Sequence, residues 1–332
     1  MVPTAVFENY WRFAAERQAI YFRRMTDPTG PWTNDPILAT FRFTNAYRAS
    51  DRVSQYLIRE VQYNPDRSSR PSEVFFRTIL FKLFNRIETW EELERHLGPL
   101  SWESADLDKI AKALDRMMDR GRTLYSAAYI MPSPAFGHKR KHANHLALLA
   151  RMMDERLPDR IRQVPTLQDV YKLLINYPGI GPFLAFQYAI DLNYASFLTH
   201  DESEFVVAGP GAADGIAKCF VGTGGRNAQE VIFWVCERQE EFFRDIGIKF
   251  QTLFGRRLQP IDCQNLFCEI SKYARVKYPD VRGLSGRTRI KQLYRQAPEP
   301  LPRPMFPPRW GLRIPDARSS TKDLNKRVGL FT

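Results

Sequence analysis

The sequence predicts a mainly α-helical protein with few short strands. Three observations carry that expectation. Apolar residues recur at three- and four-residue spacing through most of the chain, the period of a helix with one buried face. Runs with strand character are few and short, and FVVA at 205–208 is the best of them. Residues 176–184 read NYPGIGPFL, which places two glycines between two apolar helical stretches.

In order along the chain, residues 7–25 (FENYWRFAAERQAIYFRRM) show the helical period in aromatic and aliphatic side chains, and 50–63 repeat it. Residues 71–85 (PSEVFFRTILFKLFN) are apolar enough for a buried helix. Shorter helices are expected over 89–97, 106–118 and 142–154. Residues 166–176 (TLQDVYKLLIN) open on a threonine cap with an aspartate three residues on, a weak capping-box match. The helix over 182–193 starts at Pro182, the favoured first position. Helices over 229–245 and 262–275 complete the set. From 297 to 315 there are seven prolines in nineteen residues, which suits an extended, disordered arm. The expected organisation is a helical domain over 1–295, with a helix-hairpin-helix at 166–193, and a Pro-rich basic tail over 296–332.

Composition narrows the function. The chain has 332 residues, 44% of them hydrophobic, enough for a sizeable core. Cys219, Cys236, Cys263 and Cys268 are too few and too scattered for a disulfide scaffold or a four-ligand metal site. His138 and His142 stand four apart without a third ligand, so no metal is expected. No apolar run reaches membrane-spanning length, and no signal peptide is visible, so a cytoplasmic protein is expected. The net charge is +12, and the last fifty residues carry eleven basic and three acidic side chains. A basic end on a nearly neutral body points to a polyanion, with nucleic acid first. A solvated tail without a partner is the plain alternative.

The glycine-bearing turn sharpens the nucleic-acid reading. Pro178, Gly179, Ile180 and Gly181 between two helices have the form of a hairpin that grips a phosphate. Glycine lets the backbone turn and lets an anion approach main-chain N–H groups at the start of the second helix. Ile180 is expected to turn inward. Such a grip positions DNA without reading its sequence. A simple helix–helix corner is the alternative. Lys139, Arg140 and Lys141, in FGHKRKHANHLALL, add candidate phosphate contacts.

The order of basic loop, hairpin, helix and then Asp201, twenty residues after Gly181, resembles the helix-hairpin-helix DNA glycosylase superfamily over about 120–220. That resemblance implies a glycosylase-like helical core and makes Asp201 the carboxylate that stabilises cationic sugar character. Glu202 and Glu204 are alternative carboxylates, and a helix cap is the plain role for this segment. Phe183 stands where bifunctional members carry a lysine, which favours water as the nucleophile. Gly209-Pro210-Gly211 departs from the superfamily's run into a helix. No four-cysteine cluster is present.

A longer resemblance runs over about 5–295. The segments ERQAIYFRRM, FRFTNAYRASDRVSQYLI, FFRTILFKLFNRIETW, YPGIGPFLAFQ, DESEFVVAGPGA and DCQNLFCEISKYARV resemble the alpha-glutamyl/putrescinyl thymine pyrophosphorylase-like family, also described as the 5-hydroxymethyl-deoxyuridine DNA kinase helical domain. The family is tied to hypermodified DNA bases. The implied activity is a monofunctional DNA glycosylase that removes a modified base in defence against phage, without a cofactor. The implied partner is double-stranded DNA with modified bases, and nothing identifies a protein partner. A flipped base needs a pocket, for which Asn45, Arg48, Asp51 and Arg52, with Asp262 and Asn265, are the candidates. A capped loop and a buried structural network are their plain alternatives. A transferase acting on an activated 5-hydroxymethyl pyrimidine with release of pyrophosphate is the second expectation, and a DNA-binding protein without chemistry the third. The glycine-rich 222–226 lacks the GxxxxGK[ST] pattern, and so does the rest of the sequence, so an ATP-dependent kinase would have no such phosphate cradle here.

Overall fold

The computed structural model describes residues 1–128, 130–296 and 300–315. Among them are fourteen α-helices: α1 (Ala5–Thr26), α2 (Pro36–Thr40), α3 (Arg52–Tyr56), α4 (Pro71–Phe84), α5 (Ile87–Leu97), α6 (Leu107–Asp119) and α7 (Lys141–Asp154), then α8 (Leu157–Gln163), α9 (Leu167–Ile175), α10 (Pro182–Asn193), α11 (Pro210–Cys219), α12 (Ala228–Glu237), α13 (Gln239–Asp245) and α14 (Pro260–Lys277). The expected mainly helical class holds. The strand content is one antiparallel pair, β1 (Val2–Pro3) with β2 (Phe220–Gly222). FVVA at 205–208 is not a strand. Phe205, Val206 and Val207 are buried side chains of a connecting segment, so apolar content there reflects burial rather than pairing.

The chain divides into two compact units. Unit 1 takes Met1–Asp51, Val206–Pro304 and the stretch from Gly311; unit 2 takes Arg52–Phe205 and Met305–Trp310.

Unit 1 is built on α1, α11 and α14. Thr4 caps α1 by accepting from the Val6 N–H at 3.2 Å. The buried face of α1 carries Tyr10 and Trp11 into an aromatic core, with ring centroids 4.6 Å from Phe267 and 4.8 Å from Phe243 respectively. Along their lengths α11 and α14 pack closely. A Cβ on Gly211 would overlap the Cys268 sulfur, and one on Gly215 would overlap the Phe267 carbonyl oxygen. The Gly209-Pro210-Gly211 stretch is thus no interruption. Gly209 is the N-cap and Pro210 the first residue of a helix.

Unit 2 centres on α4, which is buried on nearly every side, as its composition predicts. Its buried Glu73 accepts from the N–H groups of Trp102 at 2.9 Å and Glu103 at 3.0 Å. Further along α4, Lys82 forms a fully buried ion pair with Asp191 of α10 at 3.0 Å. The stretch read as one helix over 50–63 becomes a 3-10 turn, the short α3 and a π-helical stretch over Leu57–Gln62.

Residues 305–310, which composition assigns to a disordered tail, pack into unit 2. Gln55 brackets Met305 with a pair of hydrogen bonds of 2.9 and 2.8 Å. Phe306 is buried. The Arg309 guanidinium donates to the carbonyls of Asn193 and, at 3.1 Å, Leu198, and pairs with the buried Glu202 at 3.2 Å. Proline here fixes an extended strap rather than a loose end. The rest of the expected tail, at 297–299 and 316–332, lies outside the described residues. Among the described residues no helix is long and apolar enough to cross a membrane.

Candidate nucleic-acid interface

In unit 2, α9 and α10 form the hairpin that the sequence spells out. Thr166 caps α9, its hydroxyl accepting from the Asp169 N–H at 3.1 Å. The turn follows from Asn176. Gly179 has φ +80°, a conformation costly for any residue with a side chain. Ile180 is buried, as expected, and its N–H donates to the Tyr177 carbonyl at 3.1 Å. Gly181 is the N-cap of α10 and has no side chain to satisfy the first amides; its own carbonyl accepts from Ala185 at 2.9 Å. A Cβ on Gly181 would meet nothing within 4 Å. The start of α10, where Pro182 has no N–H, therefore offers an end without a side-chain cap, the positive end of the helix dipole and open space at Gly181.

The basic loop packs on this turn. A Cβ on Gly179 would sit 3.2 Å from the Pro134 side chain. Asn144, one turn into α7, holds the loop: its Oδ1 accepts from the N–H groups of Phe136 and His138 at 3.1 Å each, and its Nδ2 donates to the His138 carbonyl at 2.9 Å. Next to it, His145 Nε2 donates to the Pro132 carbonyl and Nδ1 accepts from the Tyr125 hydroxyl, both at 2.8 Å. Burial pushes the His145 imidazole down to about 4, so it holds the loop as a neutral ring.

The three basic candidates differ once placed. Lys139 is exposed. Arg140 lies 3.5 Å from Asp115 and 3.6 Å from Asp119, so two carboxylates face its charge. Lys141 turns back over the Tyr125 ring at 4.2 Å, and burial lowers its pKa. The sequence shows a run of cations; in the structure Arg140 faces carboxylates, Lys141 lies over a ring, and Lys139 is exposed.

Asp201 and Glu204 are both exposed. The Asp201 carboxylate accepts from the Ser203 N–H at 2.7 Å, a local turn. Asn193, the last residue of α10, holds this segment through paired bonds with His200 at 3.0 and 3.1 Å. The segment and the hairpin thus lie at opposite ends of α10, whose twelve residues span about 18 Å.

The base-pocket candidates fall in both units. Arg52 is an exposed residue of unit 2, paired with Glu88 at 3.1 Å. The others belong to unit 1, where four of them join one partly buried network. Arg17, from α1, donates to Asn45 Oδ1 and the Thr44 carbonyl at 2.9 Å each. Asn45 donates through its side chain to the Ser50 carbonyl and through its backbone to Asp51, both at 2.8 Å. Glu269 accepts from the Thr44 N–H at 3.0 Å and pairs with Lys272 at 2.9 Å. Asp262 accepts from the Arg48 N–H at 2.8 Å and the Gln259 N–H at 3.0 Å. Asn265 is half-buried on the same helix. Burial, with the charge of Glu269 adding, pushes the Asp51 carboxyl up to about 7. Arg17 and Glu269 were invisible to sequence reasoning because each sits in a helix that reads as ordinary amphipathic pattern.

A cleft of about 500 Å³ opens elsewhere on unit 1, and its lining includes none of these candidates. Phe13 and Leu38 give it apolar wall, while Asn9, Arg12, Lys249 and Lys277 give it polar rim. In its lining the Tyr273 hydroxyl donates to Asp35 at 2.6 Å. Its volume falls in the range of small-ligand sites. Among the described residues no group of three or more His, Cys, Asp or Glu is placed to hold a metal ion.

A family model described as "5-hmdU DNA kinase, helical domain" matches residues 4–283. The chain is 25% identical over 286 residues to a "5-hmdU DNA kinase" of Bacillus phage SP10, a match that takes in 81% of this chain and 45% of the relative. The chain thus spans less than half the length of that curated relative. No solved structure matches. These findings overturn the expected hydrolytic DNA glycosylase, and with it the expected role of Asp201 in base release. A kinase transfers a phosphoryl group and leaves the sugar–base bond intact. A glycine hairpin and a following aspartate suit any enzyme that holds a DNA strand, so their spacing did not specify the bond attacked.

Proposed function

Since the chain belongs to the 5-hmdU DNA kinase helical-domain family, we propose that it serves group transfer at the 5-hydroxymethyl group of deoxyuridine in DNA. Its part in such a reaction is the acceptor side: a hold on the DNA and a place for the modified base. The family match over residues 4–283 carries this reading. In phosphoryl transfer the hydroxymethyl oxygen attacks phosphorus, the donor's leaving oxygen departs, and the hydroxyl proton passes to a base. The work asked of the acceptor side is positioning.

The open N-terminus of α10 and Lys139 are the DNA-holding groups in this reading. The unit 1 cleft is the place assigned to the modified base, with Phe13 as wall and Asn9 and the Asp35–Tyr273 pair as readers. The network of Asn45, Arg48, Asp51 and Asp262 acts as framework. A second reading keeps the same acceptor side. In it the chain acts on a hydroxymethyl group already activated, where a nucleophile displaces pyrophosphate. Both readings keep the sugar–base bond.

Fluorescence anisotropy with duplexes that differ only in 5-hydroxymethyluracil or thymine tests the shared premise. The expected result is binding to both, tighter for the modified duplex by about tenfold, the size of one added hydrogen bond to a charged or buried group. Equal affinity for the two duplexes, or release of free base into solution, would contradict it.

A further inference from the structure

We propose that unit 1 carries an anion site for a phosphate or diphosphate group, separate from the 500 Å³ cleft. It is a pocket of about 270 Å³ lined by Lys218, Arg275, Arg282, Arg287 and the loop that includes Gly283, Ser285 and Gly286. The inference stands on unit 1 alone and does not depend on DNA binding.

The close packing of α11 and α14 builds the floor. Because Gly211 and Gly215 admit the backbone of α14, Asp214 and Lys218 come directly against Ser271 and Arg275. The Asp214 carboxylate pairs with Lys218 at 3.3 Å and accepts from the Ser271 hydroxyl. Lys218 Nζ donates to the Ser271 carbonyl at 2.9 Å. Burial alone would raise the Asp214 pKa, but the bonds from Ser271 and Ser285 and the charge of Lys218 hold it below the ordinary value. Its other oxygen reaches up to the loop, accepting from the Ser285 N–H at 2.6 Å. A Cβ on Gly283 would overlap this carboxylate, so only glycine lets the loop lie down on it. The pocket wall is therefore fixed rather than draped.

The charge on that wall is unbalanced. Asp214 answers Lys218. Against the three arginines, Arg275, Arg282 and Arg287, the lining offers one carboxylate, Asp280. Burial lowers the pKa of Arg275, and the nearby charge of Arg287 lowers it further, while Asp214 opposes both. One end of Arg275 is anchored, with Nη1 donating to the Arg289 carbonyl at 3.2 Å. Its Nε is buried and has no hydrogen-bond partner among the described residues. Three guanidinium groups and a lysine around one small pocket are the donor set that a tetrahedral oxyanion satisfies. The volume is below that of a drug-sized site, which suits a phosphate or diphosphate better than a whole nucleotide.

Isothermal titration calorimetry of the full chain with inorganic phosphate and with pyrophosphate tests the site. The expected result is saturable binding, tighter for pyrophosphate, that weakens by about tenfold or more in Arg287→Ala, the loss of one charge-assisted contact. Arg287 is exposed, so that variant should fold. Arg275→Gln should weaken binding likewise. A competing duplex DNA separates two sources of the same chemistry. Displacement of pyrophosphate by DNA assigns the site to a backbone phosphate, and retention assigns it to a small phosphorylated ligand; either supports the site. No saturable binding of either anion by the wild type, or equal binding by Arg287→Ala, would overturn it.

Discussion

In unit 2, α9 meets α10 through a turn in which Gly181 has open space where a Cβ would lie. In unit 1, α11 meets α14 along their lengths, where a Cβ on Gly215 would overlap a backbone carbonyl oxygen. The same residue type thus does opposite work. Gly215 is small so that protein can approach, and Gly181 is small at a surface that protein leaves uncovered. The polar residues divide in the same way. The loop of unit 1 that reads as a binding loop, with Asn45, Arg48 and Asp51, turns inward onto Arg17 and α14. The basic loop of unit 2 is held from beneath by Asn144, leaving Lys139 outside. A conspicuous residue in the sequence marks a constraint; only its surroundings tell whether the constraint is packing or a partner.

The largest effect expected from this contrast is at Gly215. Gly215→Ala places a methyl group against backbone that cannot rotate away, so α11 and α14 must separate. The expected loss is about 3 kcal/mol or more in urea unfolding, at the upper end for overpacked cores. A variant as stable as wild type would show that the two helices are not held at this distance.

A smaller effect separates framework from ligand-reading loop in unit 1. The folded Asp51 has its pKa raised to about 7, above its unfolded value. Between those two pH values the folded protein binds a proton that the unfolded chain does not, so stability should fall as pH rises from about 4 to about 7 and level off above it. The Asp51 contribution should be on the order of 1–2 kcal/mol, after allowance for the partial exposure of the loop. Asp51→Asn should remove that part of the slope in denaturation series across this range. An unchanged slope would take Asp51 out of the framework.

These contrasts also show how much the sequence could tell. The hairpin was legible to the residue, because Thr166, Gly179, Gly181 and Pro182 are local signals that act within one turn. The buried α4 was legible from its apolar composition. The helix expected over 229–245 is broken at Arg238 into α12 and α13; no glycine or proline marks that break. The helix starting at Pro210 was hidden because Gly-Pro-Gly reads as a loop, although glycine followed by proline also makes a cap and a first turn. The strap at 305–310 was hidden because its order comes from distant partners, Gln55 and Glu202, which composition cannot show. The chemistry was the least legible part. Holding DNA needs the same glycines and cations whichever bond is to be changed.

If the α9–α10 hairpin grips a phosphate at Gly181, one substitution separates that role from folding. Gly181 has the extended backbone of an N-cap, where aspartate is a favoured residue. Gly181→Asp should leave the protein as stable as wild type, or a few tenths of a kcal/mol more so. It also places a carboxylate where the DNA phosphate would sit. Fluorescence anisotropy with a labelled duplex at low salt should then show affinity reduced by about tenfold or more, consistent with one phosphate contact replaced by repulsion. A well-folded Gly181→Asp protein that binds the duplex as tightly as wild type would contradict that role and leave the hairpin as a corner between two helices.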